Sequence, residues 1–333
     1  MKVLLNFHLG RDVRIAVPEG TLSALRARFP EVIFVPADDP ETLAREAADA
    51  EVFYGFTFPA ALVPRAPRLR WIQSASAGIE GNLSPQVVER GILLTNGSGI
   101  ASVGIAEHVI GVMLAFCRNL HVAGRLQAAR RWDRQGVTAG EGTPIREFRG
   151  SRVAVLGLGP IGANVARGAA ALGATVHGMR RHPPDHPTPP YDAVVGPGGL
   201  DDLLGWADFV VLAVPHTPET DHMIGARQIG LMRPDTIIVN VARGSVIDET
   251  ALVDGLRRGA IGGAGLDVFA EEPLPSSSPL WTLSNVILTP HVSGATPRYF
   301  ERALGLFIEN LGRYLEDRPL RNLVDHALGY PRR

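Results

Sequence analysis

Apolar positions in the first hundred residues fall into short runs separated by amphipathic stretches. Val3 to Phe7, Val32 to Val35, Val52 to Phe56, Arg70 to Ser74 and Ile92 to Thr95 have strand character, while Thr21 to Arg28 and Glu41 to Ala48 carry helical spacing. Strands alternating with helices predict a parallel sheet covered on both faces. Ala101 to Leu120 is a longer apolar segment without proline, which predicts a buried helix leading into a second unit. From Ser151 the alternation resumes, with strands at Val153 to Leu156, Ala174 to Gly178, Phe209 to Val214, Thr236 to Val241, Gly263 to Val268 and Val286 to Thr289. Tyr299, Phe300, Ala303, Leu304, Phe307, Leu311, Tyr314 and Leu315 then repeat with a helical period, and this last helix is expected to return the chain to the first unit. Arg181 to Pro190 holds five prolines and Ser276 to Ser278 is flanked by two more, so both predict loops. The expected fold class is α/β, with two doubly wound parallel-sheet domains. One is discontinuous, residues 1–100 and 296–333; the other is residues 101–295, and the active site is expected in the cleft between them.

The run Val153 to Gly162 reads Val-Ala-Val-Leu-Gly-Leu-Gly-Pro-Ile-Gly. Gly157 would allow the tight turn from strand to helix, Gly159 would let the backbone approach a pyrophosphate, and Gly162 would let helix and strand pack closely. Pro160 and Ile161 complete the cofactor-binding motif, and the positive end of the helix that Ile161 opens would receive the phosphates. Six residues match many proteins by chance, but a strand before, a helix at Ile161 to Leu172 and a second strand after favour a dinucleotide over a plain turn. A carboxylate ending that second strand would bond the ribose of NAD. The chain has Arg180 and Arg181 there, and forked guanidinium donors suit the extra phosphate of NADP, unless both are solvated loop residues.

Three later strand ends carry polar residues: Val241 to Gly244, Asp267 to Pro273 and Thr289 to Gly294. Singly, each has a plain reading, a structural hydrogen bond for His291 or a solvated pair for Glu271 and Glu272. Together, Arg243, a glutamate and His291 supply an anion clamp, an orienting acid and a proton donor beside a nicotinamide, which suffices for 2-keto acid chemistry. Phe53, Tyr54 and Phe56 read more readily as a buried strand than as a substrate pocket.

Composition narrows the function classes. The chain has 333 residues, 45 % apolar and 20 % charged, enough for two cores, and a net charge of −1 without basic clusters argues against nucleic acid. No window reaches the ~18 apolar residues of a membrane span, and the start lacks the charged opening and cleavage pattern of a signal peptide. The lone Cys117 has no disulfide partner and sits in an apolar run, and no Cys/His/Asp spacing suggests a metal. A soluble cytoplasmic protein without nucleic-acid or membrane partners is expected.

The glycine motif, Val211 to Thr220, Asn240 to Asp248, Asp267 to Pro275, Pro290 to Gly294 and Ser102 to Glu107 occur in an order that closely resembles the D-isomer-specific 2-hydroxyacid dehydrogenases. The resemblance implies a Rossmann cofactor domain inserted in a flavodoxin-like substrate domain. It implies that Arg243 binds substrate, that Glu272, which precedes the proline, partners His291, and that His291 is the general acid for reduction. It further implies that backbone amides around Ser76, Ala77 and Gly78 hold the substrate carboxylate. Val214, Pro215, Val241, Ala242, Asp267 and Gly294 would line the cofactor, with Arg243 and His291 beside it. A homodimer is implied as well. Arg180, where many relatives carry aspartate, points to NADP rather than NAD and to glyoxylate or hydroxypyruvate reduction. Two alternatives stand beside that reading: an NAD-dependent dehydrogenase for a bulkier 2-hydroxy acid, and a dinucleotide-sensing protein similar to the C-terminal-binding corepressors.

Overall fold

Both halves of the chain form parallel sheets whose alternate residues face opposite layers of helix. The structure is a computed structural model that describes residues 1–9, 13–14, 20–139 and 143–331. Two compact units emerge, residues 1–100 with 296–333, and residues 101–295.

In the first unit five strands lie in the order Ile33–Pro36, Lys2–Asn6, Val52–Gly55, Trp71–Ser74 and Leu93–Thr95, all parallel. Numbered along the chain this is 2-1-3-4-5, the flavodoxin-like order. Leu4, Phe53, Ile72 and Leu94 face one layer with Leu43, Val63 and Val87, while Val3, Val52, Tyr54 and Trp71 face the other with Leu25. That second layer is completed by the helix Tyr299–Leu315, which carries the predicted apolar stripe and returns the chain to this unit. Phe307 is its anchor, fully buried and stacked on Tyr54 at 4.1 Å between ring centroids. Asn310 locks the register: its Nδ2 donates to Gln73 Oε1 at 2.9 Å and to the Arg321 carbonyl at 3.0 Å. Phe53, Tyr54 and Phe56 are therefore core residues, at most 5 % exposed.

In the second unit seven parallel strands follow the order Ala193–Val195, Thr175–Met179, Arg152–Leu156, Phe209–Leu212, Ile237–Asn240, Gly263–Leu266 and Val286–Leu288. Counted along the chain this is 3-2-1-4-5-6-7, the dinucleotide-binding order with one strand added. Val153, Val155, Phe209 and Val211 pack under the helices Ser102–Cys117 and Pro160–Ala171, while Ala154, Leu156, Val210 and Leu212 pack on the opposite layer. Sheets buried on both faces read as continuous apolar runs, as these strands do. The edge strand Ala193–Val195 did not stand out in the sequence because its three residues follow the proline-rich loop. The predicted buried helix is Ser102–Cys117, stopped where Asn119 takes a left-handed φ of 50°. Cys117 packs in this core, and burial pushes its thiol up. Among the described residues no single helix is long and apolar enough to cross a membrane; a pair bent by 74°, Ser102–Cys117 with Leu120–Ala128, passes by length and composition only.

Truncating the anchor of the returning helix gives a direct check on the first unit. Phe307→Ala is expected to cost about 3–5 kcal/mol, read as an earlier urea transition in the fluorescence of Trp71, which stacks on Phe307. A loss below ~1 kcal/mol contradicts this packing.

Candidate active site

Seven parallel strands present their C-terminal ends along one edge of the second unit, and the strand order reverses between Arg152–Leu156 and Phe209–Leu212. A crevice opens at such a switch point because the helices on either side leave to opposite faces. Gly157 sits there at a φ of +98°, and a Cβ on it would lie 2.5 Å from the Ala213 carbonyl oxygen. Gly162 backs onto the same turn, where a Cβ would stand 2.0 Å from the Gly157 oxygen. Gly159 differs, since nothing lies within 4 Å of its Cβ position. The helix Pro160–Ala171 begins beside it without a side-chain cap. A turn closed on two sides and open at Gly159, leading into an uncapped helix start, fits a pyrophosphate: peptide N–H groups and the positive helix end face the open side.

Arg180 follows the strand Thr175–Met179 and is exposed. Arg181 is engaged instead, its Nη2 lying 3.4 Å from Glu219 Oε2 on the turn that follows Phe209–Leu212, two strands away in the sheet. Both side chains of this pair are more than 40 % exposed, so solvent screens it and it holds Arg181 weakly. Val214 and Pro215 follow Phe209–Leu212, and Val241, Ala242 and Arg243 follow Ile237–Asn240. Asp267 follows Gly263–Leu266, and His291 and Gly294 follow Val286–Leu288. The cofactor-facing residues expected from the sequence thus share one sheet edge.

His291 is the most tightly specified of them. Its Nδ1 lies 2.7 Å from Glu272 Oε2, and Glu272 Oε1 accepts the Phe269 N–H at 3.0 Å. Both carboxylate oxygens therefore hold one orientation, and the imidazole keeps Nε2 without a partner among the described residues. Glu271, the alternative in the sequence, is exposed and outside this pair. His291 itself has a left-handed φ of 52°, a conformation uncommon for a residue with a side chain.

Asp267 imposes that conformation. Only 1 % exposed, it accepts from Thr289 Oγ1 at 2.6 Å and Val292 N at 2.9 Å through Oδ1, and from Ser293 N at 3.0 Å through Oδ2. Its main-chain oxygen accepts the His291 N–H at 2.9 Å. Asp267, expected from the sequence to line the cofactor, binds through its carboxylate the loop that carries His291. Thr289 and His108 extend this network, with His108 Nε2 3.4 Å from Thr289 Oγ1, and nothing in the local sequence pattern joins those two residues.

Arg243 leaves an extended backbone at φ −144° and ψ 150°, and its Nη1 donates to the Ala242 carbonyl at 2.7 Å. Gly244 follows against the neighbouring loop, since a Cβ there would lie 1.9 Å from the Phe269 carbonyl carbon. The Arg243 turn and the loop leading to Glu272 consequently pack directly against each other.

In the first unit, Ser76, Ala77 and Gly78 follow the strand Trp71–Ser74. The Ser76 N–H donates to Ser74 Oγ at 3.2 Å, and Asn96 Nδ2 donates to the Ala77 carbonyl at 2.7 Å. The Ala77 and Gly78 N–H groups have no acceptor among the described residues, which suits them to an anionic group. His182 and His186 lie exposed in the proline-rich loop. Among the described residues no cluster of His, Cys, Asp or Glu could hold a metal ion.

Known proteins are similar to this chain in sequence and fold. The family described as D-isomer specific 2-hydroxyacid dehydrogenase, NAD binding domain, matches residues 110–293. A glyoxylate reductase of Thermococcus gammatolerans is 35 % identical over 84 % of this chain and 85 % of its own length. A D-3-phosphoglycerate dehydrogenase of Methanocaldococcus jannaschii is 35 % identical over 86 % of this chain, which spans only 53 % of that longer protein. The solved structure of an NADPH-dependent glyoxylate/hydroxypyruvate reductase from Sinorhizobium meliloti, in complex with NADP and sulfate, matches with a TM-score of 0.80 at 25 % identity, over 99 % of each chain. With a matching family model over more than half its length and these relatives, the chain belongs to the D-isomer specific 2-hydroxyacid dehydrogenase family.

Proposed function

We propose that this protein reduces small 2-keto acids of the glyoxylate and hydroxypyruvate type to D-2-hydroxy acids, with NADPH as reductant and His291 as general acid. The observation that carries the reading is the His291–Glu272 pair, 2.7 Å apart at the cofactor edge of the sheet. With Nδ1 held by the carboxylate, the imidazolium delivers its proton from Nε2 to the substrate carbonyl oxygen. Glu272 fixes the ring plane and stabilises the imidazolium before transfer. Arg243 binds the substrate carboxylate, a role suited to the planar fork of a guanidinium. In the first unit, the two peptide donors of Ala77 and Gly78 suit the same anionic substrate class.

Gly157, Gly159, Pro160, Ile161 and Gly162 would hold the pyrophosphate, while Val214, Pro215, Val241, Ala242 and Gly294 would line the rest of the cofactor site. The bound nicotinamide supplies the hydride to the carbonyl carbon. Exposed Arg180 supports the choice of NADPH, with Arg181 released from Glu219 as a second donor to the 2′-phosphate. The NADP-bound Sinorhizobium meliloti enzyme and the Thermococcus gammatolerans glyoxylate reductase support the cofactor and the substrate class respectively. A second reading, an NAD-linked dehydrogenase of a bulkier 2-hydroxy acid, draws on the equal identity to the phosphoglycerate dehydrogenase. Cytoplasmic location and a homodimer belong to the same proposal. Trp132, 98 % exposed in the second unit, is the kind of apolar surface that a partner subunit covers.

A panel of 2-keto acids assayed with both reduced cofactors separates these readings. Glyoxylate and hydroxypyruvate with NADPH are expected to give the highest kcat/KM; NADH equal to or better than NADPH contradicts the cofactor assignment, and inactivity across the panel returns the protein to a dinucleotide-sensing role. Arg180→Ala is expected to lower kcat/KM for NADPH by roughly 10- to 100-fold, the loss of one charge-assisted contact, and to leave NADH little changed. His291→Gln is expected to lower kcat by about 10²–10⁴ with NADPH affinity retained in a fluorescence titration. Wild-type turnover in that variant removes His291 from the reaction. Sedimentation equilibrium is expected to give twice the chain mass, and a single-chain mass at micromolar concentration contradicts the dimer.

A further inference from the structure

Arg243 is the substrate-binding group of the reading above, yet its side chain is long and its backbone leaves the sheet just before it. Two peptide units of its turn, Val241–Ala242 and Arg243–Gly244, are held by one side chain. Asn240, the last residue of the strand Ile237–Asn240, is 1 % exposed. Its Nδ2 donates to the Arg243 carbonyl at 2.9 Å, and its Oδ1 accepts the Ala242 N–H at 3.0 Å. The Arg243 carbonyl also accepts from Val246 N at 3.2 Å, so Asn240 and the following 3-10 turn converge on the same oxygen.

We propose that Asn240 is the positioning residue of Arg243: its amide clamps the peptide before Ala242 and the peptide after Arg243, bracketing the turn that carries that residue, and so aims the guanidinium at the substrate carboxylate. This inference rests on the assignment of Arg243 to substrate binding. The chemistry requires an amide here, because one side-chain end must offer a donor and an acceptor at once. Aspartate keeps the acceptor but sets a negative charge against the Arg243 carbonyl; alanine removes both bonds; serine is too short to reach both groups. The main chain of Asn240 fastens the clamp to the rest of the site, since its carbonyl accepts the N–H of Asp267 at 3.1 Å. On the other side Gly244 packs against Phe269, where there is no room for a Cβ. The Asn240 side chain thus acts on two peptides of the Arg243 turn and makes no bond to the glycine turn or to His291.

Such a role separates substrate carboxylate binding from everything else the enzyme does. In Asn240→Ala and Asn240→Asp the KM for glyoxylate and the Kd of oxamate, a carboxylate probe titrated into the NADPH complex, are expected to rise about 10- to 100-fold, the range for a lost charge-assisted contact. NADPH affinity is expected to stay within about twofold of wild type, and kcat to fall less than KM rises. The decisive comparison is the double variant with Arg243→Ala. If Asn240 acts through Arg243, its substitution adds little to the Arg243→Ala defect. Should Asn240→Ala fail to fold, Asn240→Asp carries the same test at constant size. Oxamate affinity unchanged in Arg243→Ala sinks the parent reading of Arg243. Oxamate affinity lost in Arg243→Ala but kept in the Asn240 variants overturns the present inference, as does a loss of oxamate and NADPH affinity together with thermal stability.

Discussion

A buried carboxylate at a strand end holds the reactive part of this protein together. Asp267, 1 % exposed, takes three hydrogen bonds from the segment Thr289 to Ser293 through its side chain and a fourth, from His291 N, through its main chain. Burying a carboxylate is unfavourable unless its lone pairs are satisfied, and here the loop provides the donors. The dependence is mutual: without the loop the buried Asp267 carboxylate would lack its three donors, and without that carboxylate the loop that carries His291 at its left-handed φ would lose three hydrogen bonds. Glu272 then fixes the side chain whose backbone Asp267 has fixed.

The same logic repeats along the sheet edge. Asn240 does for the Arg243 turn what Asp267 does for the His291 loop, and the two are joined directly, Asp267 N to Asn240 O at 3.1 Å. Polar groups capable of chemistry stay exposed because fully buried polar groups one layer below hold them. A parallel sheet makes this economical, since all of its strands end on one side, and the glycine turn opens on that same side.

Much of this was legible in the sequence because it depends on local pattern. The strands, the returning helix with its apolar stripe, the glycine turn and the choice of Glu272 over Glu271 all follow from spacing and resemblance over short stretches. What stayed hidden depends on contacts between distant segments. Asp267 reads as one more polar strand end, and only its neighbours reveal a carboxylate devoted to residues 289–293. Asn240 lies in a segment that resembles the family, but an asparagine closing a strand carries no sign of bonding two peptides further on. Arg180 and Arg181 look equivalent until Glu219, nearly forty positions away, pairs with the second alone. His108 and Thr289 meet across 181 positions, beyond any periodicity.

In the proposed reaction a hydride and a proton are added to opposite ends of one carbonyl at this sheet edge. Turnover of hydroxypyruvate with NADPH deuterated at C4 of the nicotinamide ring measures that directly, with the product resolved by chirality and by mass. Glycerate of the D configuration bearing deuterium at C2 is the expected result. Product without deuterium at C2, or of the L configuration, would contradict it.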